Sequence, residues 1–352
     1  MSDKRAVPIK QRIAEAIEHQ WYQPKAGWLW LFYPLEWLFR SVVHSRRKNL
    51  TPLAYLPSIP TIIIGNVTVG GTGKTPLLIA LVKHLQSHGY SPGVVSRGHG
   101  RKGTLLSVVD MHSTAEDVGD EPLLLFQQTG CPVAVHEDRT KAAKALIEYA
   151  PIDIILADDG LQHYRLGRHF EIGVVDATRL FGNRHCLPVG PLREPLSRLS
   201  QLNCIVLTSL SPVDNATLKH VPNVSAPMFN AVTEPIVWRS LDSDATKPLD
   251  AFRHEEVVAI AGIGNPDKFY QTLAQLGMRF STLSFPDHHS YRAEDFSFHQ
   301  ENALFRPCVM TSKDAVKCQK LGLVNCWYLD IDVVLSDEFL QYFMQCLEYL
   351  LE

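Results

Sequence analysis

The chain has 352 residues, 45% of them hydrophobic and 20% charged, with 34 Lys+Arg against 37 Asp+Glu and a formal net charge of −3. This composition excludes a disordered, collagenous or disulfide-scaffold protein, and the balanced charge supplies no overall field to draw in nucleic acid. A length beyond about 250 residues exceeds one hydrophobic core and predicts two domains.

The N-terminal run Met1–Lys10 carries charge and Pro where a secretory leader needs an apolar stretch, and the seven Cys are scattered without a C-x-x-C pair. Both features predict a cytoplasmic protein in a reducing compartment, without a zinc knuckle. Residues Ala26–Phe39 then crowd Trp, Phe, Tyr and Leu together, ahead of Arg40, His44, Arg46, Arg47 and Lys48. Pro34 and Glu36 interrupt the run, and it is shorter than the ~18 apolar residues a spanning helix needs. Two readings stand at this point: an aromatic-basic helix lying in a lipid headgroup layer, or a helix packed on the protein's own core or in an oligomer interface.

From Thr61 onward, short apolar runs alternate with helical stretches. Strands are predicted at Thr61–Gly65, Gly93–Ser96, Ile152–Ala157, Glu171–Asp176 and Cys204–Thr208, with a helix over Lys74–His88. Several intervals are long enough for crossover helices, so the fold class is α/β, a parallel sheet flanked by helices, with ligands at the carboxyl ends of the strands. Residues 213–255 are weakly periodic and dotted with Pro and Asp, and read as a connector. A second alternating series follows: Val257–Gly262, a helix near Pro266–Leu276, Phe280–Phe285, Cys308–Thr311, Trp327–Val334 and a closing helix from Asp337. The expected division is therefore an aromatic-basic segment 1–50, a P-loop kinase domain 51–212, a connector 213–255, and a smaller C-terminal α/β domain 256–352.

The strongest chemical signal is Val69-Gly-Gly-Thr-Gly-Lys-Thr75, set between a buried strand and a helix. Gly70, Gly71, Thr72 and Gly73 let backbone N–H groups turn toward phosphate oxygens. The helix N-terminus adds positive potential, Lys74 reaches the β- and γ-phosphates, and Thr75 holds Mg2+. The first Gly of the usual G-x4-G-K-[ST] pattern is replaced by Thr68, and Val69 stands where partition-type switch ATPases carry an extra Lys. Asp158 and Asp159, delivered by an apolar run to a neighbouring strand end, supply carboxylates for metal or substrate. A GTP-binding reading, with Asp314 of Thr311-Ser-Lys-Asp314 selecting guanine, is the weaker rival.

Taken in order, Ile64–Pro76, Val95–Gly98, Gly119-Asp-Glu-Pro122, Asp158-Asp-Gly-Leu-Gln-His-Tyr164, Leu187–Glu194 and Met310–Lys317 resemble the motifs of the tetraacyldisaccharide 4'-kinases, over about Trp28 to Val333. The resemblance implies transfer of the ATP γ-phosphate to the 4'-hydroxyl of an acylated glucosamine disaccharide 1-phosphate, with Mg2+, at the cytoplasmic face of the inner membrane. That setting favours lipid contact for the aromatic stretch. It further implies Asp120 as the general base working with His288 (His289 being the adjacent alternative), Arg193 on phosphate oxygens, Asp159 and Gln162 near substrate, and Asp158 and Glu194 with Thr75 around the metal. His99 stands where the family usually has Tyr. No nucleic acid and no obligate protein partner are expected.

Overall fold

The protein is described as a computed structural model over residues 9–222, 224–296 and 306–351; most of the charged N-terminal run lies outside these. The strands are β1 (Thr61–Gly65), β2 (Pro92–Ser96), β3 (Ser107–Val108), β4 (Val133–Val135), β5 (Ile154–Asp158), β6 (Phe170–Asp176), β7 (Cys204–Ser209), β8 (Met228–Ser240), β9 (Thr246–Lys247), β10 (Glu256–Ala261), β11 (Arg279–Ser284), β12 (Cys308–Thr311) and β13 (Cys326–Leu335). The helices are α1 (Ile9–Trp21), α2 (Tyr33–Leu50), α3 (Lys74–Ser87), α4 (Ala115–Val118), α5 (Asp120–Thr129), α6 (Arg139–Tyr149), α7 (Asn215–Leu218), α8 (Pro266–Gln275), α9 (Ser312–Cys318) and α10 (Asp337–Leu351).

All the strands lie in one sheet, ordered β11-β10-β12-β13-β8-β7-β6-β1-β5-β2-β4-β3, with β9 on the side of β8. The run β4-β2-β5-β1-β6-β7-β8 is parallel, β8 and β13 are antiparallel, and β13-β12-β10-β11 is parallel again. In β1, Ile62 and Ile64 enter one apolar cluster and Ile63 the other, so both faces are covered. That is why the strand reads as a continuous hydrophobic run.

Register along β8 creates the cleft. Its first part, Met228–Val232, pairs with β7, whereas Trp238 lies opposite Leu329, itself opposite Thr311 at the end of β12. The two parallel blocks thus run in opposite directions and are offset along β8, so their carboxyl edges face each other. From Val232 to Trp238 the separation is about 20 Å at a strand rise of ~3.3 Å per residue. A register shift at Asp330/Ile331 opposite Pro235 and Val237 bends this joint, at a Pro that has no N–H for the ladder.

Two expectations need correction. Residues 213–255 are not a bare connector, since they contain β8, the strand that joins the two blocks. The closing helix α10, assigned to the smaller domain, buries Phe339, Phe343 and Leu347 in the cluster of Ile62, Leu78 and Phe170 from the first block. Its amphipathic stripe has its partner on the far side of β8.

At the N-terminus, α1 and α2 are joined by a 3-10 turn at Gly27–Phe32. Leu29 packs on Val189, whereas Trp30 and Trp37 are 58% and 72% exposed, together with Trp28, Leu31, Leu35 and Leu38. No helix among the described residues is long and apolar enough to cross a membrane.

Candidate active site

A cavity of about 480 Å³ lies between the facing strand ends. One wall is the loop Gly70–Thr75 with Asp159 and Arg193; the other is Ile263–Asn265, Asp287, His288 and Ser312–Lys313, and Thr233, Leu329 and Ile331 line it from the β8/β13 joint. Gly73, the residue before α3, has φ +79°, a conformation that favours Gly and turns the loop into the helix. Gly264 packs against the phosphate loop of the opposite wall: a Cβ built there would lie 2.9 Å from Gly71 N.

Lys74 Nζ donates to Asn66 Oδ1 at 3.2 Å and lies 3.6 Å from Asp159 Oδ1. Arg193 Nη1 donates to both Asp159 oxygens, at 2.8 and 3.1 Å. Burial alone would raise the Asp159 titration, but Lys74 and then Arg193 hold it well below the ordinary carboxylate range. Its neighbour Asp158 is shifted the other way, first by burial and then by the negative charges of Glu121 and Asp159. Asp158 Oδ2 accepts from Ser96 Oγ at 3.0 Å, while the buried Oδ1 has no hydrogen-bond partner. Thr75, buried in the first turn of α3, lines the cavity. An orphaned carboxylate oxygen and a threonine hydroxyl at a phosphate loop are hard oxygen donors of the kind Mg2+ takes.

Asp120 opens α5 after Gly119, whose φ of +95° and close packing against Gly98 admit no side chain. It is 4% exposed, and His288 Nδ1 lies 3.0 Å from each of its oxygens. Burial would raise the Asp120 titration, yet His288 and Lys313 bring it down; burial would lower that of His288, yet the bond to Asp120 takes it up. Each group thus favours the charged form of the other. His289 points elsewhere: its Nε2 lies 3.0 Å from Asp295 and its ring stacks on Phe285. His99 packs its ring on His288 with centroids 4.4 Å apart.

The remaining expected residues divide. Gln162 donates to Asn66 O at 3.2 Å and faces Arg193 at 3.5 Å, beside the loop. Glu194 is not among the residues that line the cavity. It is 1% exposed, bonded by the Tyr164 hydroxyl and paired with Arg198 at 3.1 Å. Asp314 is fully buried and accepts from Gly262 N, Thr311 Oγ1 and the Tyr291 hydroxyl, with Lys317 2.8 Å away. Its carboxylate holds α9 in place and has no free edge for guanine. Among the described residues there is no cluster of three or more His, Cys, Asp or Glu placed to hold a metal.

Sequence reading passed over Lys313, which lies 2.9 Å from Glu121, 3.2 Å from Asp287 and 3.8 Å from Asp120. Burial opposes its charge, but these three carboxylates hold the proton more firmly than usual. The available signal was its place after strand β12, at a carboxyl end. Asn66, directly after β1, carried the same signal.

Comparison with known proteins agrees with this architecture. The tetraacyldisaccharide-1-P 4'-kinase family (LpxK) matches residues 28–348. The chain is 41% identical over 329 residues to the tetraacyldisaccharide 4'-kinase of Pseudomonas fluorescens, covering 92% of this chain and 93% of that one. It is 41% identical over 344 residues to the one from Azotobacter vinelandii, covering 96% and 98%. Among solved structures, LpxK from Aquifex aeolicus in complex with ATP superposes with a TM-score of 0.75 at 25% identity, covering 92% of this chain and 99% of that one.

Proposed function

The chain belongs to the tetraacyldisaccharide-1-P 4'-kinase family, and we propose that it runs that family's reaction in the cleft between the two blocks of its sheet. It is an ATP-dependent kinase of lipid A biosynthesis, transferring the γ-phosphate to the 4'-hydroxyl of a tetraacylated glucosamine disaccharide 1-phosphate. The observation that carries the residue assignment is the Asp120–His288 pair, built from opposite walls and held at 3.0 Å at the rim of the cavity that contains the phosphate loop.

In this reading the backbone N–H groups of Gly70–Gly73 and the start of α3 cradle the β- and γ-phosphates, and Lys74 leaves Asp159 partly to meet them. Arg193 supports the charge that builds on the transferring group, positioned by its two bonds to Asp159. Thr75 and Asp158 would hold Mg2+, which supplies charge neutralisation on the phosphates. The acceptor hydroxyl lies near the Asp120–His288 pair. As its oxygen bonds to the γ-phosphorus and the bond to the β,γ-bridging oxygen breaks, ADP departs and the hydroxyl proton passes to the pair, a contribution of about 10²–10⁴ in rate. Lys313 keeps Asp120, Glu121 and Asp287 together against their mutual repulsion.

The exposed Trp, Leu and Phe of Trp28–Leu38, followed by the exposed Arg40, Arg46 and Lys48, support a peripheral seat on the cytoplasmic face of the inner membrane, where a lipid acceptor is found. The kinase block of 51–212 with β8 would hold the triphosphate, and the second block would close over it. The experiment is incubation with γ-labelled ATP and the acylated disaccharide, with ATP hydrolysis followed in its absence. Label in the lipid is expected; hydrolysis with no lipid label would point to a switch ATPase instead.

A further inference from the structure

Helix α2 carries one residue at odds with its exposed face. Glu36 lies between Leu35 and Trp37, both well exposed, yet is itself only 6% exposed. Its Oε1 accepts the backbone N–H of Cys186 at 2.8 Å, and its Oε2 lies 3.1 Å from His185 Nδ1. A buried carboxylate is costly to desolvate, and an apolar residue would seat this helix without that cost. What the carboxylate adds is a fixed direction for residues 185–186.

Those residues begin a strap that runs to the phosphate loop. Within it, Leu192 N donates to His185 O at 3.1 Å and Leu187 N to Leu192 O at 3.0 Å, so the strap folds on itself. At its near end, Trp21 Nε1 donates to Pro188 O at 2.9 Å and Leu29 packs on Val189. At its far end, Val69 N donates to Pro191 O at 2.8 Å and Arg193 N to Val67 O at 2.7 Å, with Leu192 bridged to Thr68. Val67–Val69 lead directly into Gly70, and Arg193 is the guanidinium on Asp159. The N-terminal helices and the phosphate loop are therefore two sides of one hydrogen-bonded strap.

We propose that Glu36 is a positioning residue of the kinase reaction: by fixing the 185–193 strap it sets the Arg193 guanidinium and the start of the phosphate loop, coupling the seat of the interfacial helices to the phosphoryl-transfer site. The link to a bilayer rests on the peripheral-membrane reading above; the link to the phosphate loop does not.

The test uses the full chain and the variants Glu36→Ala, Glu36→Gln and Glu36→Asp, with acceptor presented in detergent micelles and in phospholipid vesicles. In Glu36→Ala, kcat should fall about tenfold in both media, as for a small misplacement of a reacting group. KM for ATP should rise with it, because the start of the phosphate loop shifts too, while co-sedimentation with vesicles stays as in the wild type. Glu36→Gln, whose amide oxygen still accepts the Cys186 N–H, should restore most of the rate. If Glu36→Ala fails to fold, Glu36→Asp, shorter by one methylene, should show a kcat loss at unchanged Tm. A lowered Tm with wild-type kcat below the transition, or equal kcat in all variants, would overturn the proposal. If neither wild type nor variant sediments with vesicles, the membrane reading falls, while a kcat loss in detergent still supports the positioning role.

Discussion

Replacing Gly264 by Ala probes whether the two walls of the cleft meet in solution as described. The added Cβ would sit 2.9 Å from Gly71 N and 3.1 Å from Asp287 Oδ2, about half an ångström inside ordinary contact. Gly264 does not have a positive φ, so its own backbone accepts Ala and the cost falls on the contact. The loop segment that must give way is the one whose N–H is assigned to phosphate. Overpacking of this kind costs about 1–3 kcal/mol, which corresponds to roughly 5- to 150-fold weaker ATP binding at ~1.4 kcal/mol per tenfold. Isothermal titration with MgATP measures this, with thermal unfolding as the check on folding. Wild-type affinity, kcat and Tm together would mean that the loops at Gly71 and Gly264 do not touch in the working enzyme, and the closed cleft would have to be abandoned.

Lys74→Ala is expected to leave Tm close to wild type and to reduce lipid phosphorylation by more than about 10³, because Lys74 is the ammonium of the phosphate loop; normal turnover would remove its role. Asp120→Asn and His288→Ala should each cost about 10²–10⁴ in kcat, and the double variant little more than either, since the two act as one base; additive losses would separate them. The pH dependence has a definite sign. The pair accepts a proton only after His288 has lost its own, and His288 holds that proton to higher pH than an ordinary imidazole. Activity should therefore fall as pH drops through a point above the usual histidine range. In Asp120→Asn, burial and Lys313 act unopposed by Asp120, so the residual activity should persist to lower pH; a profile that stays in place would refute the coupling. Trp30→Ser with Trp37→Ser should weaken vesicle co-sedimentation by up to about 1.5–3 kcal/mol per side chain while leaving kcat in detergent unchanged. Undiminished sedimentation would return these residues to another role.

The short β3, β4 and β9 were too brief to register, whereas β1, β2, β5, β6, β7, β10, β11, β12 and β13 were legible as apolar runs, and Thr61–Gly65 with the following glycine loop announces its own chemistry. Strand β8 was not. It alternates Asn230, Thr233, Glu234 and Arg239 with apolar residues, contains Pro235 and is half exposed, so it carries the composition of a linker while doing the work of a joint. Asp120 and His288 emerged from a motif resemblance, since no local pattern reveals a pairing across 168 positions. For Glu194, residue type alone says nothing of the direction of its side chain, which the fold turns toward Tyr164 and Arg198. Glu36 looked like an interruption in an apolar run, and only the fold shows what it faces.

The return of α10 to the first block has a consequence for how the chain can be divided. Leu77, Leu78 and Leu81 of the helix that carries the phosphate loop share their cluster with Phe339, Phe343 and Leu347, although the whole second block lies between them in sequence. Cutting the chain before residue 337 would strip Phe343 from Phe170 and Phe339 from Phe229, whose ring centroids lie 5.9 and 5.5 Å apart. A fragment meant to carry the phosphate loop therefore needs α10 added back, and residues 51–212 on their own should expose apolar surface and be prone to aggregate.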